Sequence, residues 1–225
     1  MHSFIKTLQK QTKVKVVDSS IDYEDYVTLN LSANHTDQLD LNLTDALIFE
    51  IFIENHLSEN NAKVAFGGYL ETRNLYKRSP AFKNETTDER NIHIGLDLWI
   101  QAGTNVLAAL NGTIHSFQNN NAIGDYGPTI ILEHHIEGHA FYTLYGHLNL
   151  ESLNTKKRGQ IIKKGDVIAQ LGASPINGDY APHLHFQIIK DLQGKIGDYP
   201  GVCSKNEIKF YSDNCPNPNF LLKIQ

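Results

Sequence analysis

The rhythm of hydrophobic and polar positions changes along this chain. Over the first forty residues it is irregular, with short β-type runs at 13–17 and 26–31 and a polar stretch at 32–40. Ala46, Phe49, Ile53 and Leu57 then recur at helical spacing, and Thr44 and Asp45 offer an N-cap. The spacing predicts a helix over 45–59, although its β-branched content leaves a strand open. Gly67-Gly68 breaks the pattern, and the mostly polar residues 69–92 read as a long connection. From Asn91 the period becomes two. Strands are predicted at 96–100, 105–117, 128–136, 139–146, 160–162, 167–172 and 184–190. Asn111-Gly112, Glu137-Gly138 and Lys164-Gly165-Asp166 mark tight turns between them. No long helical pattern intervenes, so hairpins and antiparallel pairing follow. Gly, Pro, Asn and Asp crowd the residues after 191, which predicts an irregular tail. The expected fold is mainly β, an antiparallel sheet or sandwich. It divides into an α+β extension (1–90), a β domain (91–190) and a tail (191–225).

Composition narrows the possibilities. With 225 residues, 40% of them hydrophobic, the chain can bury a sizeable core. A net charge of −5 argues against a phosphate-backbone binder, so no nucleic-acid partner is expected. No apolar run is long enough for a membrane span. The N-terminus lacks an apolar signal region, which places the chain as it stands in the cytoplasm. A trimmed N-terminus would instead leave a periplasmic or extracellular location open. Cys203 and Cys215 lack the tight spacing of a thiolate metal site and are expected as free thiols. The oligomeric state is left open.

Candidate chemistry concentrates in three short stretches. In Pro182-His183-Leu184-His185-Phe186-Gln187, strand alternation puts His183, His185 and Gln187 on one face and Leu184 and Phe186 on the other. One apolar face can enter a core while two imidazoles stand over a cleft. Imidazole is both a common metal ligand and a general base near neutral pH, so one strand can supply each. His93-Ile94-Gly95-Leu96-Asp97 pairs an imidazole with a carboxylate. In a straight strand the two would be about 13 Å apart, too far to share an ion. The chain must bend between them, and Gly95 is the residue expected to permit it. Tyr145-Gly146-His147-Leu148 puts a further histidine on the face of Thr143 and Tyr145.

Taken in order, His-x-x-x-Asp, Tyr-Gly-His-Leu and Pro-His-Leu-His-Phe resemble the LytM/lysostaphin-like zinc metallopeptidases, over about residues 90–190. Tyr126-Gly127-Pro128 and the Gly-rich stretch from Gly159 to Ala169 are similar to further family features. The resemblance implies a zinc cofactor held by His93, Asp97 and His185. It implies His147 and His183 as the catalytic pair, with the roles of base and oxyanion donor falling on them in either order. The implied reaction is hydrolysis of a peptide or muropeptide substrate; a non-catalytic module of the same fold is the alternative. Arg73 and Tyr126 are candidate substrate contacts. His134 is expected as a structural hydrogen-bonder. Tyr69, Arg73, Tyr76 and Phe82 suggest that the 69–92 connection packs along the cleft. The loop Asn177-Gly178-Asp179-Tyr180-Ala181 is bulkier and more acidic than the Gly- and Ser/Thr-rich loop usual in the family.

Overall fold

The computed structural model describes residues 2–37, 39, 41–75 and 89–224. Helix α1 (His2–Lys10) leads to strand β1 (Tyr26–Thr28), the short helix α2 (Ala33–Thr36), helix α3 (Ala46–Glu59) and strand β2 (Val64–Gly67). Strands β3 (Ile92–His93), β4 (Leu96–Trp99), β5 (Asn105–Leu107), β6 (Gly112–Asn120), β7 (Gly127–Ile136) and β8 (His139–Gly146) follow. Then come β9 (Ile161–Ile162), β10 (Val167–Gln170), β11 (His183–Ile189), β12 (Val202–Cys203) and helices α4 (Ile208–Asn214) and α5 (Asn219–Leu222). No helix among the described residues is long and apolar enough to cross a membrane.

The fold is mainly β. Eight strands form one sheet in the order β1-β2-β4-β11-β8-β7-β6-β9, antiparallel throughout except for the β1–β2 pair. The run 105–117 is two strands rather than one, because the chain turns between β5 and β6 and β5 pairs with β10. Residues 13–17 contribute a bridge from Val17 to Val106 rather than a strand. The α+β extension adds β1 and β2 to the sheet edge beside β4. Helix α3 forms where its spacing predicts, and the Asp45 carboxylate caps it by accepting from the Leu47 and Ile48 amides.

Directly paired residues in antiparallel strands share a face. Leu184, Phe186 and Ile188 of β11 therefore lie with Tyr145 of β8 and Leu98 of β4, inside the main core. The opposite face carries His183, His185 and Gln187 of β11, Asp97 and Trp99 of β4, and Gly146 and Leu144 of β8. Two satellite cores cover that second face. Phe49 and Ile53 of α3 pack with Ala65, Leu75 and Trp99 at one end. Leu192, Tyr199, Cys203 and Cys215 pack with Ile131 and Leu144 at the other. The cleft is the gap between them. The tail after 191 is thus structured: β12 pairs with β3, and both cysteines are buried free thiols. A two-residue strand and helices of four to seven residues are too short to leave a periodic signal.

His134 is fully buried in β7 and hydrogen-bonded through both nitrogens, to the Asn111 carbonyl at 2.8 Å and Thr143 Oγ1 at 2.7 Å. Burial pushes its pKa down to about 4, with the Asn111 carbonyl opposing. The unfolded chain binds this proton more readily, so the stability it contributes is present above pH ~6.5 and is lost as pH falls toward ~4. Relative to a His134→Gln variant, the unfolding free energy of the parent should drop by about 3 kcal/mol between pH 7 and pH 4. Urea titrations at the two pH values check this. A pH-independent difference would show that His134 is not held neutral.

Candidate metal centre and catalytic cleft

Asp97 lies directly opposite His185 in the β4–β11 ladder, and Trp99 lies opposite His183. The third donor, His93, ends β3, and the bend at Gly95 returns the chain so that Asp97 faces it. Gly95 matters for space rather than for backbone freedom. A Cβ there would come within 2.4 Å of the His185 ring, and its φ lies outside the left-handed region. The expected bend is present, but glycine is required because an imidazole fills the position of its missing side chain.

The three donor atoms form a triangle. His93 Nε2 is 2.9 Å from His185 Nδ1 and 3.2 Å from Asp97 Oδ1, and His185 Nδ1 is 3.1 Å from Asp97 Oδ1. Ligands at 2.0–2.2 Å around a tetrahedral ion would be about 3.3–3.6 Å apart, so the triangle is near the required size. The outer hydrogen bonds assign the tautomers. His93 Nδ1–H donates to the Gly68 carbonyl at 2.9 Å, and His185 Nε2–H donates to Gln187 Oε1 at 3.0 Å. The Gln187 amide is oriented by donating to the Pro200 carbonyl and the Cys215 sulfur, each at 3.2 Å. Two nitrogen lone pairs and a carboxylate oxygen therefore meet with no proton between them, an arrangement that a cation favours. Among the described residues this is the only His/Cys/Asp/Glu group so arranged. His135 and His139, at the β7–β8 turn, take no part in it.

Electrostatics agree. Burial pushes the His93 imidazole down to about 4, reinforced by Arg73 and opposed by Asp97. Burial pushes the Asp97 carboxyl up, but the Arg73 guanidinium paired with it outweighs burial and holds it well below the usual carboxylate range. Near neutral pH the donors are thus neutral His93 and ionised Asp97, the forms that bind metal.

His147 and His183 stand beside this triangle, ring centroids 4.1 Å apart, and His183 Nε2 is 4.0 Å from Asp97 Oδ1. Each donates Nδ1–H to a backbone carbonyl, His147 to Asn177 at 2.6 Å and His183 to Ala181 at 2.7 Å. That leaves both Nε2 lone pairs for the cleft. Burial lowers both pKa values, for His147 with help from His183 and His185 and for His183 against Asp97. His183 is stacked on Trp99.

His147 corrects a sequence expectation. Strand alternation would group it with Thr143 and Tyr145, which face the core side of β11. The strand ends at Gly146, and His147 adopts φ +62°. This left-handed turn swings the ring to the opposite face, against Tyr126 and His183. Such a conformation costs a non-glycine residue on the order of 1–3 kcal/mol. Bonds from its amide to the Tyr126 carbonyl and from the Gly172 amide to its own carbonyl, at 2.8 and 2.9 Å, hold it.

The cleft encloses about 230 Å³. Tyr126 lines it, its ring against His185 and its hydroxyl 3.4 Å from His185 Nε2. Arg73 lines it too, but is buried, with its guanidinium on Asp97 and Glu71. Both carboxylates belong to the chain itself, and Arg73 keeps its place in the lining of the cleft. Tyr69 donates to the Cys215 carbonyl, while Tyr76 and Phe82 lie outside the described residues. Trp99, Asn177, Tyr180 and Gln187 also belong to the site, beyond the residues to which the sequence motifs point. Gln187 shares the period-two face of His183 and His185, and that was its signal. The Asn177 side chain bonds Gly172 and Tyr180 within its own loop, which carries no pattern.

Gly95→Ala should drive a methyl into the His185 ring and weaken metal binding about tenfold or more, as loss of ligand orientation does. Chelator competition on the purified variant measures it, and unchanged affinity would show that the ring has room to yield.

Residues 91–196 match the family model described as peptidase family M23. A Haemophilus influenzae protein named an uncharacterized metalloprotease is 32% identical over 109 residues, 48% of this chain and 21% of that protein. The match therefore spans about a fifth of that relative's length. Among solved structures, the catalytic domain of the antimicrobial peptidase lysostaphin from Staphylococcus simulans is 24% identical, covering 68% of this chain and 94% of that one, with a TM-score of 0.40. A zinc-containing peptidase from Vibrio cholerae is 26% identical over 55% of this chain and 36% of that one, with a TM-score of 0.36. The residues matched to that family model include His93, Asp97, His147, His183 and His185.

Proposed function

We propose that the chain is a zinc-dependent metalloendopeptidase acting on short peptides of the cell-wall, peptidoglycan type. The observation that carries this reading is the convergence of three donor atoms, 2.9–3.2 Å apart, beside two further imidazoles whose Nε2 atoms are left for the cleft. His93, Asp97 and His185 would hold zinc as two nitrogens and one oxygen, the ligand count of a catalytic rather than a structural site. Zinc held there would supply Lewis acidity toward a scissile carbonyl and lower the pKa of a bound water toward 7.

The chain's own groups supply the rest. His147 and His183 are neutral near pH 7, so either Nε2 can accept the proton of an attacking water. The protonated ring can return that proton to the leaving amine. The other ring can donate to the developing oxyanion when its Nε2 has taken up a proton from solvent. The backbone carbonyls of Asn177 and Ala181 fix both rings and would stabilise the imidazolium form. Trp99, Tyr126 and Tyr180 wall the cleft and limit water around the reacting bond. Arg90, Lys195 and Asp198 line the same cleft, where a peptide's charged groups would pass. Retention of all five residues favours an enzyme over a binding module of the same fold.

The purified protein should carry one zinc per chain, and His185→Ala should lose it, because two ligands rarely hold zinc against buffer. Stoichiometric zinc in that variant, by elemental analysis, would sink the ligand assignment.

His147→Ala and His183→Ala should keep zinc yet lose turnover on peptidoglycan fragments or glycine peptides by about 10²–10⁴-fold. Near-parental rates in a zinc-loaded variant would remove that histidine from the mechanism.

A further inference from the structure

The stretch matched to the family begins at residue 91, but the shell that orients the metal donors begins earlier. The Gly68 carbonyl accepts the Nδ1 proton of His93 at 2.9 Å. Arg73 Nη1 donates to Asp97 Oδ2 at 2.5 Å, and Arg73 Nε donates to Glu71 Oε2 at 2.6 Å. Glu71 Oε1 in turn accepts from the Leu31 amide at 2.9 Å. Residues 68–73 form a strap paired to β3. Leu70 N bonds the His93 carbonyl at 2.8 Å, His93 N bonds the Glu71 carbonyl at 2.9 Å, and Arg73 N bonds the Asn91 carbonyl at 2.8 Å. The Arg73 guanidinium lies over the Trp99 ring at 5.6 Å and is almost wholly buried. Gly68 leaves it room: a Cβ there would come within 1.8 Å of Arg73 Nη2.

A carboxylate has two equivalent oxygens, and nothing in its own chemistry stops both from turning toward one cation. Here Arg73 takes Oδ2, so only Oδ1 faces His93 Nε2 and His185 Nδ1. The guanidinium suits this task because its fixed fork reaches two carboxylates at once, and Glu71 anchors it from the far side. We infer that the strap is a built part of the metal centre and that Arg73 is its positioning residue, turning Asp97 so that one oxygen rather than two faces the donor set. This rests on reading His93, Asp97 and His185 as metal ligands. With one carboxylate oxygen engaged, the donor count stays at three and a position is kept open for chemistry. With two engaged, that position begins to close.

A merely structural ion pair would change stability and leave coordination alone, so the test reads coordination. In the 225-residue chain, Arg73→Ala should bind zinc about 10–100-fold more weakly by chelator competition. Its cobalt-substituted form should show weaker visible absorption per ion than the parent, the signature of a higher coordination number. Arg73→Lys should recover part of the affinity, since it restores the charge without the two-carboxylate fork. Glu71→Gln, which keeps Arg73 but loosens its anchor, should shift both readouts in the same direction by less, and serves if Arg73→Ala does not fold. Variants that bind zinc within about threefold of the parent, with the parental cobalt spectrum, would overturn the inference while leaving the metal centre standing. A parent that binds no zinc, or a His185→Ala variant that binds it as tightly as the parent, would overturn the metal centre and the inference with it.

Discussion

The β4–β11 register is the constraint on which the site depends. His185 meets Asp97 and His183 meets Trp99 because Leu184, Phe186 and Ile188 enter the main core from the other face. A one-residue slip would exchange those faces. Removing three large apolar side chains from the core would cost about 1.5–3 kcal/mol each, a sum comparable to the whole stability of a domain. A hydrogen bond between the polar groups is worth only about 1 kcal/mol. The apolar face therefore sets the register, and the placement of the donors follows from it.

Around this pair the molecule tolerates arrangements that a stable fold would otherwise avoid. Two imidazoles and a carboxylate converge, each nearly buried, and His147 is held in a left-handed turn. Their compensation comes from distant parts of the chain. Gly68 and Arg73 reach in from the strap, Asn177 from the loop before β11, and Pro200 and Cys215 through Gln187 from the C-terminal segment. The two satellite cores serve the same end. Helix α3 and the tail each cover part of the polar face of the sheet, and their separation leaves the cleft over His183 and His185. A cation at the donor triangle would offset part of the electrostatic cost of bringing these groups together.

Part of this arrangement is legible in runs of consecutive residues. Alternation around His183 and His185 gave a strand with one apolar and one imidazole face, and helical spacing after Asp45 gave α3 with its cap. The separation of His93 and Asp97 required a bend, and the bend is there. The face that His147 occupies is set by the folded structure, because a single positive φ reverses an alternation that no local pattern contradicts. That structure alone set Gly95 against the His185 ring, and Arg73 against Asp97. It alone gave the tail its order, through β12 pairing with β3. These are contacts between residues far apart in the chain. They are fixed by register and packing, which depend on the whole core and leave no periodic trace in any one segment.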